Sequence, residues 1–186
     1  QVEDLNTKVH QPRSFLDTTV AKMNEAVYEQ GQLMGVERIG TTVAMLYGSL
    51  DQIHVCNIGD SRIYRYHKGK LVMLTVDDII ANPNIKNQHL TQFIGIDSER
   101  YSLTTHIKKG TLCKGDMYLL CTDGLYNMIS EKEICKILMD YGKDMTSCVE
   151  ALADKVEKNG GEDNCTVILI RFVKDFWLSK MLHHDM

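Results

Sequence analysis

Three aspartates stand where strand-like runs of the chain stop: Asp60 in Asn57-Ile58-Gly59-Asp60-Ser61-Arg62, Asp123 in Cys121-Thr122-Asp123-Gly124, and Asp163 in Gly160-Gly161-Glu162-Asp163-Asn164. A glycine beside or near each lets the backbone turn tightly, so each carboxylate can be presented at a sheet edge and meet the others although far apart in sequence. Carboxylates that converge repel one another unless a cation offsets their charge. All-oxygen ligation suits Mg²⁺ or Mn²⁺, whereas zinc asks for His or Cys in a spaced cluster, and the seven histidines show no such spacing. Taken singly, an Asp-Gly or Gly-Asp pair is ordinary turn chemistry. The weight lies in the combination.

Other reactive side chains are read more plainly. The cysteines at 56, 113, 121, 135, 148 and 165 include no C-x-x-C pair. Most lie in apolar runs, so they are expected to be buried structural thiols in a reducing compartment. His54, His67, His89 and His106 are assigned no role. Arg62, two residues after Asp60, is expected to hold its turn by hydrogen bonds to carbonyls or carboxylates rather than to contact phosphate.

The elements that must position these groups can be read from periodicity and caps. Ser14-Phe15-Leu16-Asp17 resembles a capping box, and Leu16, Val20, Met23, Val27 and Met34 behind it predict one buried face of a helix over 14–34. After Gly40 come four short runs, 42–47, 52–58, 62–66 and 70–75, which read as an antiparallel meander. Residues 77–92 carry no sustained period and read as a surface loop. A strand is expected at 103–107, and the near-continuous apolar run 117–122 reads as one buried on both faces. Ser130 to Glu133 and Ser147 to Glu150 are capping boxes for helices at 131–141 and 147–158, followed by a strand at 165–172. The tail, with Phe176, Trp177, Leu178, Met181 and Leu182, predicts a short amphipathic helix docked on the domain. This order has no repeating βαβ unit, so it points to an α+β fold of antiparallel sheets flanked by helices.

Composition narrows the function. With 186 residues, 44% hydrophobic, the chain suits one globular domain. A net charge of −4 without a long Lys/Arg run argues against a nucleic-acid partner. No apolar stretch approaches the roughly 20 residues of a membrane span, and the N-terminus lacks the parts of a signal peptide, so a cytoplasmic protein is expected.

Several motifs, in wording and order, resemble the protein phosphatase 2C family over residues 14–172. Gly40-Thr41-Thr42 looks like its G-T-T segment, Asn57 to Arg62 its N-x-G-D-S-R, and Leu90-Thr91-Gln92-Phe93-Ile94-Gly95 its L-T-x-x-x-G. Leu120-Cys121-Thr122-Asp123-Gly124-Leu125 resembles L-x-[ST]-D-G-L, and Glu162 to Val167 resembles x-D-N-x-T-V. The resemblance implies two stacked antiparallel sheets with helices on the outer faces, and a metal-dependent phosphatase acting on phosphoserine or phosphothreonine in proteins. It matches Asp123 and Asp163 to ligands of one of two central Mg²⁺ or Mn²⁺ ions, and Asp60 to a carboxylate of a third, weaker site near Asp123. Asn164 would orient its neighbour, and Gly124 would support the turn. In the implied mechanism a water held between two cations attacks phosphorus in line. Phosphorylated proteins, and a cognate Ser/Thr kinase, are the implied partners.

Two departures accompany the resemblance. The family's opening segment, with an acidic residue, a phosphate-binding Arg and a D-G-x-G-G loop, has no counterpart before Ser14, and Thr75 to Ile80 stands where the family has a D-H-S-like segment. Residues 1–173 are therefore expected to form one phosphatase 2C-like domain lacking its first strands, with 174–186 as a tail. Such a fragment would expose a sheet edge and aggregate or dimerise. The alternative reading is a noncatalytic relative that binds phosphoproteins as a regulatory module.

Overall fold

Pro12 opens the first helix, where its missing N–H costs nothing because that position has no intrahelical partner. A computed structural model of the chain describes residues 11–36, 38–49, 51–80 and 89–173. In it α1 runs Pro12–Leu33 with Gln11 as an N-cap that makes no side-chain bond. Ser14 therefore lies inside the first turn, and the capping box expected there does not form. The buried stripe is Leu16, Val20, Asn24 and Gly31, with Val27 packed beside it. Met23 and Met34 fall off this stripe and are exposed, unlike the expectation.

Among the described residues seven strands follow, all paired antiparallel, in two sheets. β1 (Val43–Ser49), β2 (Gln52–Ile58) and β5 (His106–Thr111) form one sheet in the order β1-β2-β5. β3 (Arg62–His67), β4 (Lys70–Met73), β6 (Met117–Cys121) and β7 (Val167–Arg171) form the other in the order β4-β3-β6-β7. The four early runs are thus strands, but not one meander. The chain leaves the first sheet at Ile58 and enters the second at Arg62, redirected by Gly59 at φ +90°.

Side-chain alternation along each strand separates three apolar layers. Cys56 and Ile58 of β2 pack with Val43 against Leu16 and Val20 of α1. Ile53 and Val55, on the opposite face of β2, pack against Ile63 and Tyr118 of the second sheet. Met117, Leu119 and Cys121 of β6 pack outward on α3 (Glu131–Tyr141) and α4 (Met145–Lys158). The result is a helix-sheet-sheet-helix sandwich, the α+β architecture expected.

Local differences have local causes. α3 is opened by the expected capping box, Ser130 with Glu133, but α4 starts at Met145 because Asp144 takes the cap, and the Ser147 hydroxyl donates to Asp144 at 2.7 Å. β5 starts at His106 instead of Leu103 because the preceding backbone is engaged elsewhere: Thr104 N–H donates to Gln92 Oε1 at 2.8 Å. β7 begins at Val167 because Thr166 N–H donates to Thr122 Oγ1 at 3.0 Å. A single helical turn, α2 (Asp123–Tyr126), had no signal beyond Asp-Gly. In the loop expected at 77–92, an antiparallel bridge joins Ile79 to Leu90. Residues 81–88 of that loop, and the amphipathic tail helix from 174 onward, lie outside the described residues. Among the described residues no helix is long and apolar enough to cross a membrane.

His54 on β2 is 5% exposed and its Nδ1 has no hydrogen-bond partner among the described residues. Burial first, then the nearby Lys109 charge, lowers its pKa. A folded-state pKa below the unfolded value means the unfolded chain binds more protons, so stability is full above about pH 6.5 and lost as pH falls below it. The melting temperature should therefore fall between pH 7 and pH 5, and His54→Phe should flatten that slope. An unchanged slope in thermal melts of the variant would remove His54 from the account.

Candidate metal centre

The loop that carries Asp60 is pinned on every side. Asn57 extends the ladder with its side chain, donating to Val76 O at 2.7 Å and accepting from Val76 N–H at 3.2 Å. Gly59 N–H donates to Asp78 Oδ2 at 2.9 Å, and Asp78 N–H returns a bond to Gly59 O at 3.1 Å. Only glycine fits here: φ is +90°, and a Cβ would lie 2.8 Å from Thr42 Cβ and closer still to its methyl. Tyr126 OH donates to Asp60 O at 2.9 Å, while the Ser61 and Thr42 hydroxyls meet at 2.7 Å.

Arg62 takes the structural part expected of it. Its Nε and Nη2 donate to Asp77 Oδ2 at 3.0 and 2.6 Å, Nη1 donates to Tyr64 OH at 3.0 Å, and the guanidinium lies 3.6 Å from the centroid of the Tyr126 ring. Its charge is committed to Asp77 in the fork geometry that suits a carboxylate.

Asp123 is the first residue of α2, directly after β6. The loop carrying Asp163 is drawn against it by Thr122, whose N–H donates to Thr166 O at 3.2 Å and whose hydroxyl donates to Asn164 O at 3.4 Å. Gly124 makes that approach possible, since a Cβ there would sit 2.9 Å from Asn164 C and 3.2 Å from Cys165 Cα, and nearer still to the Asn164 carbonyl oxygen. The Asn164 backbone N–H donates to Asp163 Oδ1 at 2.7 Å, so the contact that orients Asp163 comes from the main chain of Asn164.

Asp60, Asp123 and Asp163 line one cleft of about 750 Å³, together with Asp77, Glu162, Arg62 and Tyr126. Burial first, then the Asp123 charge, pushes the Asp60 carboxyl above the usual range. Two like charges held together in a half-buried site fit a divalent cation, and the donors are all oxygen. Among the described residues no three Asp, Glu, His or Cys side chains close around a single point, so these residues offer one side of such a site. Sequence reasoning passed over Asp77, Tyr126 and Glu162. The signal available was the Asp77-Asp78 pair at a strand end, which reads as the start of a loop and as a departure from the family's D-H-S-like segment.

The thiols beside the acidic loops are held in their protonated form. All six are free of disulfides. Burial pushes the Cys121 thiol up to about 12, and burial followed by the Asp17 charge pushes Cys56 up to about 11. Cys165 is exposed, which corrects the expectation of burial, because it sits on the loop outside β7; burial of its sulfur and the Asp123 charge still raise its pKa.

The sequence model of the family described as protein phosphatase 2C matches residues 2–163. A protein phosphatase 2C-type protein of Streptococcus pyogenes is 29% identical over 88% of this chain and 71% of its own length. The serine/threonine protein phosphatase PstP of Mycobacterium tuberculosis is 28% identical over 83% of this chain, which spans 32% of that protein. The catalytic domain of PstP in complex with two manganese ions superposes with a TM-score of 0.70 at 25% identity, covering 81% of this chain and 67% of that one. Motifs set apart in sequence meet in one acidic cleft of the same sheet sandwich, and on that match the chain belongs to the protein phosphatase 2C family.

Proposed function

We propose that this protein hydrolyses phosphoserine and phosphothreonine in other proteins, with Mg²⁺ or Mn²⁺ as cofactor. The observation that carries this is the convergence of Asp60, Asp123 and Asp163 on one cleft. Asp123 and Asp163 would hold a central ion, and Asp60 would help to hold a further one beside Asp123. Two or three such ions, when bound, would supply a more acidic water and offset the charge on the phosphoryl oxygens.

The chain's own residues account for the rest. Among the described residues five acidic side chains line the cleft, and the arginine beside them is engaged by Asp77, so the bare protein repels a phosphate dianion. Phosphate entry is thereby tied to prior cation binding. The Thr122 clamp and Gly124 keep the Asp123 and Asp163 loops close together, and the Asn164 N–H holds one Asp163 oxygen. Residues up to 173 are read as one catalytic domain, acting in the cytoplasm on phosphoproteins and opposing a Ser/Thr kinase. The manganese-bound PstP domain supports the cofactor assignment.

Hydrolysis of a phosphothreonine peptide by the full chain should require Mn²⁺, cease with EDTA and return when Mn²⁺ is restored. A folded chain that binds the phosphopeptide without turnover would favour a binding-only relative instead.

A further inference from the structure

Asp78 is 7% exposed, and its two oxygens serve three separate parts of the fold. Oδ2 accepts the Gly59 N–H at 2.9 Å, one residue before Asp60. Oδ1 accepts Gln92 Nε2 at 2.8 Å and lies 2.7 Å from His106 Nε2. With the proton on His106 Nε2, the ring donates to this carboxylate oxygen. The backbone of Asp78 adds two bonds, giving its N–H to Gly59 O at 3.1 Å and accepting Thr91 N–H at 2.8 Å. His106 is the first residue of β5, directly opposite Asn57 of β2 in the register. Gln92 is held in turn, accepting Thr104 N–H at 2.8 Å.

The turn at Gly59 has left the sheet ladder, so the main chain just before Asp60 takes its support from Asp78 instead. We infer that Asp78 and His106 form a positioning pair that fixes the Gly59–Asp60 turn, and with it the affinity of the Asp60 side of the cleft for a divalent cation. The inference rests on the cation reading proposed above. Asp78 does not line the cleft, and the histidine lies in the first sheet, so the pair acts through the Gly59 amide. This is the relation of an outer hydrogen-bond partner to a metal ligand, where loss costs about 10–100-fold in metal affinity.

The test uses the full chain, Mn²⁺ titrations by calorimetry, thermal melts, and the NMR shift of the Gly59 amide proton. Asp78→Asn and His106→Leu should each weaken Mn²⁺ binding by about 10-fold or more. His106→Gln, whose amide nitrogen can reach the place of Nε2, should weaken Mn²⁺ binding clearly less than His106→Leu. His106→Leu keeps the Asp78 charge, so a loss there separates positioning from simple electrostatics. The Gly59 amide proton, bonded to a carboxylate, should move upfield in Asp78→Asn and in His106→Leu, and much less in His106→Gln. Folded variants with Mn²⁺ affinity unchanged, or a Gly59 amide that does not move, would overturn the pair. A parent chain that binds no Mn²⁺ would instead sink the cation reading, while the Gly59 amide would still judge whether the pair holds the turn.

Discussion

Asp123→Asn should abolish Mn²⁺-dependent hydrolysis of a phosphothreonine peptide while leaving the fold intact. The substitution keeps shape and removes one charge from the pair in which Asp123 raises the Asp60 pKa. On the reading proposed above Asp123 is a metal ligand, and losing one forfeits several kcal/mol of transition-state charge stabilisation, which at about 1.4 kcal/mol per tenfold is about 10²–10⁴-fold in rate. A second readout has the opposite sign. Without metal, the variant relieves repulsion between two half-buried carboxylates, so its melting temperature in EDTA should equal or exceed that of the parent. The stabilisation that Mn²⁺ gives the parent, about 2.7 kcal/mol at 100 times Kd, should be lost. A variant that keeps both turnover and the Mn²⁺-induced shift would remove Asp123 from the metal site.

Gly124→Ala should damage both stability and turnover. Helix propensity alone predicts the reverse, since alanine within a helical turn is favoured over glycine by about 1 kcal/mol. The obstacle is space: the added Cβ meets main-chain atoms of Asn164 and Cys165, which cannot swing aside as a side chain would. The loop bearing Asp163 must move away from the one bearing Asp123, at a cost of about 1–3 kcal/mol in stability. A shift of about 1 Å between groups that act together is worth about 100-fold in rate. Gly48→Ala is the control, because nothing lies within 4 Å of a Cβ at that position. Gly124→Ala should lose both melting temperature and turnover while Gly48→Ala keeps them; a stabilised, active Gly124→Ala would mean that the two loops are free to separate.

Much of the fold is legible in the sequence, because it rests on local patterns. α3 carries its own start signal in Ser130 and Glu133, and the apolar run of β6 ends at Asp123-Gly124 as its composition implies. Where local signals competed, a better-placed partner won, whether a nearby cap or a residue of another segment. Ser147 gave its hydroxyl to Asp144, and residues near 104 bonded to Gln92 instead of extending β5. The meander reading failed for a related reason: antiparallel alternation specifies a strand and its faces, but not which of two sheets it joins. That choice was made at Gly59, whose positive φ and contact with Thr42 turn the chain across the sandwich.

The site divides in the same way. Residue type and local turn chemistry suffice to place Asp60, Asp123 and Asp163 at strand ends near glycines, and to say that oxygen ligands call for a hard cation. Packing settled the rest: that the three line one cleft, that Asp77 neutralises Arg62, and that a histidine on β5 supports the turn before Asp60 through Asp78. His106 and Asp78 are 28 positions apart and carry no mutual spacing signal. A hydrogen bond between side chains depends on where two sheets bring their backbones, and that is a property of contact between layers, which no local pattern encodes.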